Sequence, residues 1–434
     1  MPERSLDAVE TGSRGGHARP LATRFTAGAI RAAVNVLYRI EPLGLVNYSR
    51  SPSTLIVFHH RSDADGPIIA SVLTEGRDVL LPGVLPNFVA REDMCSAGFL
   101  RGYLENWPWW IRELTGRIDV HGVLGALRAS PMRRVRERSL GEVLADVRDV
   151  IGDPPLERVL RPAALAKLQA ADPLAVPSMT VSQVLQPRHR RVLQEQAGLG
   201  ALRRDAFRAL KPYQRRVIRA QLQRLAGLLE RGEPVQIAPE GVVSQDGRVR
   251  RPRAGLHTLI NAPRAGVRVL PVGLSYDFMT GGRPRVLVSI GREHTDLVGL
   301  SRLETDRRVS RAIAQGTALT VTQLASERLL RARKEGTPVS WKTLSGYLAE
   351  AVACEGAAGC VIDPRLRSET GRQQRLRSYL RYVLGRGLLR RAGGGRYRVT
   401  APPPGARAGR GPGEDVIAYA VNELNAVRSG SWMC

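Results

Sequence analysis

The chain has 434 residues, 66 Lys plus Arg against 40 Asp plus Glu, a formal charge of +26, and 43% hydrophobic residues. That apolar content excludes a disordered chain, and the length is enough to bury one large core or two smaller ones. No run of about 18 or more residues is apolar throughout, which argues against a spanning helix, and four cysteines (Cys95, Cys354, Cys360 and Cys434) without a C-x-x-C pair argue against a disulfide framework.

In chain order, residues 1–22 read as a loose polar arm, without the apolar stretch that a secretory signal needs. Over 23–46, Phe25, Ile30, Val34, Val36, Leu37 and Ile40 recur at helical spacing between arginines and predict one amphipathic helix. Such a helix packs on its domain or lies in a membrane interface. The continuous run Leu55, Ile56, Val57 and Phe58 predicts a strand buried on both faces, ending at His59 and His60. Ser62 or Asp63 then caps a helix through Leu73. Residues 78–84, 234–238, 268–276 and 285–290 read as further strands.

Between about 128 and 232 helical faces replace strands, one on Leu140, Val143, Leu144 and Val147, another on Ile218, Leu222, Leu225 and Leu229. This reads as a helical insertion within an α/β domain spanning 23–300, a mixed sheet flanked by helices. Residues 301–434 read as a mainly helical C-terminal extension. Its segment 338–399 predicts a helix at 341–353, a basic helix at 372–384 and a hairpin tipped by Gly393, Gly394 and Gly395, the order of a winged helix. The stretch 401–413 reads as a linker, followed by a short helix at 415–427.

The charge is unevenly placed. Residues 1–127 carry 13 basic and 13 acidic side chains, 128–300 carry 30 and 16, and 301–434 carry 23 and 11. The first third is therefore neutral, and the insertion and tail are basic. An anionic membrane surface and nucleic acid are both attracted to such a surface.

The residues fit for chemistry lie in FHHRSDADG. His60, at a strand end, and Asp65, in the first turn of the next helix, are placed for a carboxylate to hold one imidazole nitrogen while the other acts as a general base. Such a base contributes on the order of a hundred- to ten-thousand-fold in rate. His59 with Asp63 is the alternative pair, directed to the opposite face by strand alternation. No G-x-S-x-G elbow surrounds Ser62, Ser96, Ser244 or Cys95, and His17, His121, His189, His257 and His294 are dispersed singles, so no metal site is expected.

Downstream, VQIAPEG ends a strand at Glu240 and Gly241, and VRVLPVGLSYD follows. This order resembles the glycerolipid acyltransferase family, which includes the glycerol-3-phosphate and 1-acylglycerol-3-phosphate acyltransferases. His60, Arg61, Ser62 and Asp65 match its HRSxxD motif, Pro239, Glu240 and Gly241 its P-E-G motif, and Leu270, Pro271 and Val272 its apolar-Pro-apolar strand. The resemblance covers about 53–290. It implies acyl transfer from a thioester of coenzyme A or acyl carrier protein to a lipid-precursor hydroxyl, with no further cofactor. His60 would be the base, Asp65 its orienting partner, and Arg61, Ser62, Glu240 and Gly241 part of the substrate site. Localisation at the cytoplasmic face of the cell membrane follows from the amphiphilic substrates.

Two departures stand out. Val243 occupies the place of the family's third-motif arginine, and the best second-motif match, LTGRIDVHG, puts Gly122 at the basic position, with His121, Arg117 and the off-register Arg101 nearby. Arg248, Arg250, Arg251 and Arg253 follow the PEG turn and could bind an acceptor phosphate from a shifted loop. The alternatives are a non-phosphorylated acceptor, or a nucleic-acid-binding protein acting through 338–399.

Overall fold

The computed structural model describes residues 20–49, 51–75, 85–91, 125, 128–133, 138–195, 197–263, 266–401 and 415–430. The expectations placed on residues 1–19, 78–84, 95–96, 101, 114–122, 402–413 and 434 lie outside them. The elements run α1 (Pro20–Leu37), β1 (Arg39–Leu43), β2 (Thr54–Phe58), α2 (Asp65–Leu73), β3 (Asn87–Arg91), β4 (Ala129–Met132), α3 (Leu140–Ile151), α4 (Pro162–Ala171), α5 (Arg204–Glu230), β5 (Val235–Ile237), α6 (Ala254–Asn261), β6 (Arg268–Asp277) and β7 (Arg285–Ile290). There follow α7 (Arg302–Gly316), α8 (Val321–Glu335), β8 (Val339–Ser340), α9 (Trp341–Ala357), α10 (Glu369–Gly385), β9 (Leu389–Arg391), β10 (Arg396–Val399) and α11 (Val416–Ser429), with short helical turns between.

The run TLIVF forms β2 because five consecutive apolar or β-branched residues can all be buried only inside a sheet covered on both faces. Seven strands make a mixed sheet in the order β1-β7-β6-β2-β5-β3-β4. β2 is parallel to β5 and β6, β3 to β5 and β1 to β7, while β6 and β7 are antiparallel. The fold is therefore α/β with a mixed sheet. One sheet face, with Ile56, Phe58, Leu270, Val272, Leu274 and Val288, packs against Ile68, Ile69, Val72 and Leu73 of α2. Each such aliphatic side chain contributes roughly 1.5–3 kcal/mol on burial.

The helix expected over 23–46 ends at Leu37, and the chain turns into β1. Ile40 belongs to β1, paired with Val286, and Pro42 sits in this edge strand where its missing N–H is tolerated. Glu41 bonds the buried Arg285, which also takes a bidentate hold on Asp363. A sheet pairing and a buried charge network thus override the helical spacing.

Two compact units divide the chain, one containing residues 130–224 and the other 19–89 and 225–434. The first is helical. Ser139 and Glu142 form a reciprocal capping box at the start of α3, and Leu144, Val147, Leu156, Leu160, Leu202 and Leu210 form its core. In the second, α8, α9 and α10 share a core of Leu324, Leu329, Leu344, Leu348, Tyr379 and Val383 with a small sheet ordered β8-β10-β9. No helix among the described residues is long and apolar enough to cross a membrane.

Candidate functional site

Parallel pairing of β2 with β5 brings together two motifs 180 residues apart. Val57 lies opposite Ile237, so the residues that follow each strand, His59 and His60 on one side and Pro239 and Glu240 on the other, leave the sheet at the same edge. The carboxyl ends of parallel strands are where α/β sheets commonly bind ligands.

His60 Nδ1 lies 3.0 Å from Asp65 Oδ2. The same oxygen accepts the backbone N–H groups of Arg61 at 2.7 Å and Ser62 at 2.9 Å. Tyr276, near the end of β6, donates its hydroxyl to Asp65 Oδ1 at 2.5 Å. Asp65 is fully buried, while the His60 side chain keeps 16% of its surface. Neither Ser62 nor Asp63 caps α2 as expected. The N-cap is Ala64, with no side-chain bond, and the carboxylate of Asp65 reaches back to the turn that precedes it. Burial, and next the charge of Asp65, push the Tyr276 phenol well above its ordinary value, so it remains a donor. Four donors on one carboxylate fix the ring of His60, and no hydrogen bond to its Nε2 is found among the described residues.

His59 faces elsewhere. Its Nδ1 meets Glu240 Oε1 at 2.5 Å in a buried pair, so the alternative pairing with Asp63 is not the one formed. His59 Nε2 and Glu240 Oε2 are both buried without a hydrogen-bond partner. With Arg61, Ser244, Arg248, Tyr419 and Glu423 they line a small polar cavity. Gly241 has φ +69°, and a Cβ there would lie 2.8 Å from Arg253 Nε, so the PEG turn needs glycine both for its backbone and for the guanidinium against it.

The other expected site residues are distributed as follows. Arg61 turns inward, pairing with Glu423 of α11, whose second oxygen accepts Gln323 Nε2 at 2.8 Å. Burial works against the Arg61 charge, but Glu423 foremost, then Tyr419, Asp65 and Glu240, hold its pKa above the ordinary value. Desolvation raises the Glu423 carboxyl above its ordinary value, against the pull of Arg61 and Gln323. Ser62 Oγ accepts the Ala64 N–H at 3.2 Å. Arg251 binds Asp306 at 3.1 Å and Arg253 the Glu240 carbonyl at 2.9 Å. The side chains of Arg248 and Arg250 are exposed, with no hydrogen bond or ion pair among the described residues. The loop itself is tied to the site, because Ser244 N donates to the His60 carbonyl at 2.8 Å. It is also tied to α11: Asn422 donates to the Asp246 carbonyl at 2.8 Å, and a Cβ on Gly247 would lie 2.2 Å from the Tyr419 carbonyl oxygen.

A second, larger cavity of about 320 Å³ lies between α1 and α2, lined by Ala27, Ile30, Pro67, Ala70, Leu85 and Phe88 with Arg24 and Arg31. It includes Gly66, the residue after Asp65. Tyr276, Glu423 and Gln323 were not legible as site residues. The only signal in the sequence was polar side chains in otherwise apolar stretches. Among the described residues no three His, Cys, Asp or Glu side chains converge to hold a metal ion. No protein-family model matches this chain, and no curated protein matches it in sequence.

Proposed function

We propose that the protein is an acyltransferase that moves a fatty acyl group from a thioester, on coenzyme A or acyl carrier protein, to a hydroxyl of a glycerol phosphate or lysophospholipid. The observation that carries this reading is the His60–Asp65 pair at the carboxyl edge of the parallel strands, with Nδ1 held and Nε2 left open. With its proton fixed on Nδ1, the neutral ring takes the acceptor's hydroxyl proton on Nε2 as that oxygen attacks the thioester carbonyl. Collapse of the adduct expels the thiolate, which recovers the proton from the imidazolium. An ester and a free thiol result, and His60 returns to its starting state. A thioester is an activated acyl group, so alignment and proton removal account for most of the chemistry.

Three further features support the reading. The order HRSxxD, PEG, LPV resembles the glycerolipid acyltransferases. The apolar cavity between α1 and α2 begins one residue past Asp65 and suits an alkyl chain. Five of the eleven large apolar side chains left exposed among the described residues (Phe25, Val36, Leu37, Leu45 and Val46) lie in α1 and the turn after β1, which suits docking at a lipid surface. Peripheral attachment to the anionic inner face of the cell membrane follows from these groups and the basic charge. Arg248 and Arg250 are the arginines left to meet an acceptor phosphate.

The test is thiol release from acyl thioesters of both carriers, with glycerol 3-phosphate, lysophosphatidic acid or a neutral alcohol as acceptor. His60→Ala should abolish acceptor-dependent release, and Arg248→Ala with Arg250→Ala should raise KM for phosphorylated acceptors alone. Wild-type protein that releases no thiol with any of these pairs, or His60→Ala that turns over normally, overturns the proposal.

A further inference from the structure

We infer that the C-terminal module formed by α8, β8, α9, α10, β9 and β10 binds double-stranded DNA, an activity separate from acyl transfer. α9 and α10 pack as successive helices over one core with α8, and the β9–β10 hairpin follows α10 directly, pairing Tyr397 with Arg391 and Val399 with Leu389. Two helices joined by the connection 358–368 and followed by a hairpin have the element order of a winged helix, with α10 in the place of the helix that enters the major groove.

The side chains of α10 divide cleanly by face. Leu376, Tyr379, Leu380 and Val383 are buried, and Arg375 is drawn inward to Asp277 and Thr280. The opposite face presents Thr370, Gln374, Arg377 and Arg381 to solvent, spaced four, three and four residues apart so that they share one stripe. Arg and Gln are the residue types that bond guanine and adenine edges, and Thr bonds either base edges or phosphate. The hairpin adds Arg390, Arg391, Arg396 and Arg398, all exposed. At its tip Gly393, Gly394 and Gly395 all have positive φ and open space where a Cβ would stand, so a backbone can approach closely.

Charge complementarity selects the partner. Residues 336–401 hold twelve basic and four acidic side chains. Arg377 lies over Trp341 and Arg386 over Tyr382, and none of Arg377, Arg381, Arg390, Arg391, Arg396 and Arg398 has an acidic partner among the described residues. A membrane would also attract this charge, but none of the exposed large apolar side chains lies in the module, and an interfacial segment needs apolar anchors. Duplex RNA is disfavoured because its major groove is too deep and narrow for side chains to read.

The experiment is fluorescence anisotropy of the full chain with a mixed-sequence DNA duplex, the same sequence as RNA duplex, and sedimentation with phosphatidylglycerol vesicles, across a salt series. DNA binding is expected, with log K falling steeply as log salt rises. Replacing Arg396 and Arg398 by Ala should flatten that slope by about 2, because each phosphate contact contributes close to 0.9. Replacing Arg377 and Arg381 by Ala should weaken binding about tenfold or more, with acceptor-dependent thiol release unchanged. The inference is overturned if the duplex does not bind at low salt, if both variants bind it as wild type does, or if they lose vesicle or RNA binding while DNA binding stays intact. Thiol release is measured on the same samples, so failure here leaves the acyltransferase reading standing, and failure there leaves this one.

Discussion

Asn in place of Asp65 separates two things that the carboxylate does, because its neighbours dictate how the amide must lie. Oδ2 accepts the N–H groups of Arg61 and Ser62 together with His60 Nδ1, whereas Oδ1 meets the hydroxyl of Tyr276. An amide nitrogen at the Oδ2 position would face two backbone donors. The Asn carbonyl therefore takes that place and the NH₂ turns to Tyr276, whose oxygen can accept. Ring orientation and tautomer survive, and only the negative charge is lost. Opposite unit charges at the observed 3.0 Å attract by about 5 kcal/mol at an effective dielectric of 20. Both charges are spread over several atoms, so roughly half of that acts on the imidazolium, and kcat should fall on the order of a hundredfold. Asp65→Ala instead leaves buried donors unpaired at about 1–3 kcal/mol each, and should lower stability by roughly 4 kcal/mol as well. The assay pairs acceptor-dependent thiol release with denaturant unfolding of both variants. Asp65→Asn is expected to unfold near the wild-type midpoint with KM little changed and kcat reduced. Wild-type kcat in the folded Asn variant would refute the role given to the charge.

Removing one partner of the buried Arg61–Glu423 pair, by Arg61→Met or Glu423→Leu, should cost about 3–5 kcal/mol, whereas the double replacement should be near neutral. Denaturant unfolding of the four proteins checks this, and additive losses would show that the two groups are not coupled. Glu327 is held below its ordinary 4.5, against the effect of burial, by bonds from Arg428 and Tyr347. Its contribution is present above that pH and lost as pH falls through the lower folded value, so Glu327→Gln should be more destabilising at pH 7 than in acid, as read by thermal unfolding. Burial and then the bond to Glu355 push the Cys360 thiol up to about 11. Maleimide at neutral pH, with the sites read by peptide mass mapping, should therefore label exposed Cys354 ahead of Cys360, and the reverse order would count against the bond to Glu355.

What could be read from the sequence was the chemistry written locally. His60 and Asp65 are five residues apart, so a strand end and one turn suffice to place them, and continuous apolar runs such as 55–58 have few alternatives to a buried strand. β1 was lost because Ile40 happens to continue the helical spacing of α1, and only Pro42 signalled a break. Tyr276 and Glu423 reach the site from 211 residues past Asp65 and 362 past Arg61, and no local pattern encodes which strand or helix will return there. Arg61 shows the complementary error. Its place in a motif suggested contact with substrate, yet its side chain is turned toward a glutamate that nothing nearby in sequence announces.

The unequal distribution of charge takes on a structural meaning once partners are assigned. At the turn after β2 each buried carboxylate meets a basic side chain: Asp65 holds His60, Glu240 holds His59, and Glu423 holds Arg61. Such buried contacts are sensitive to the removal of either member. Arg377 and Arg381 of α10 and the arginines of its hairpin are the opposite case, exposed and without acidic partners among the described residues, so their field reaches solvent. The net charge of the chain is thus carried largely by surfaces that do no proton transfer. A salt series should accordingly separate two behaviours in one protein, with thiol release nearly flat and binding to a polyanion falling steeply.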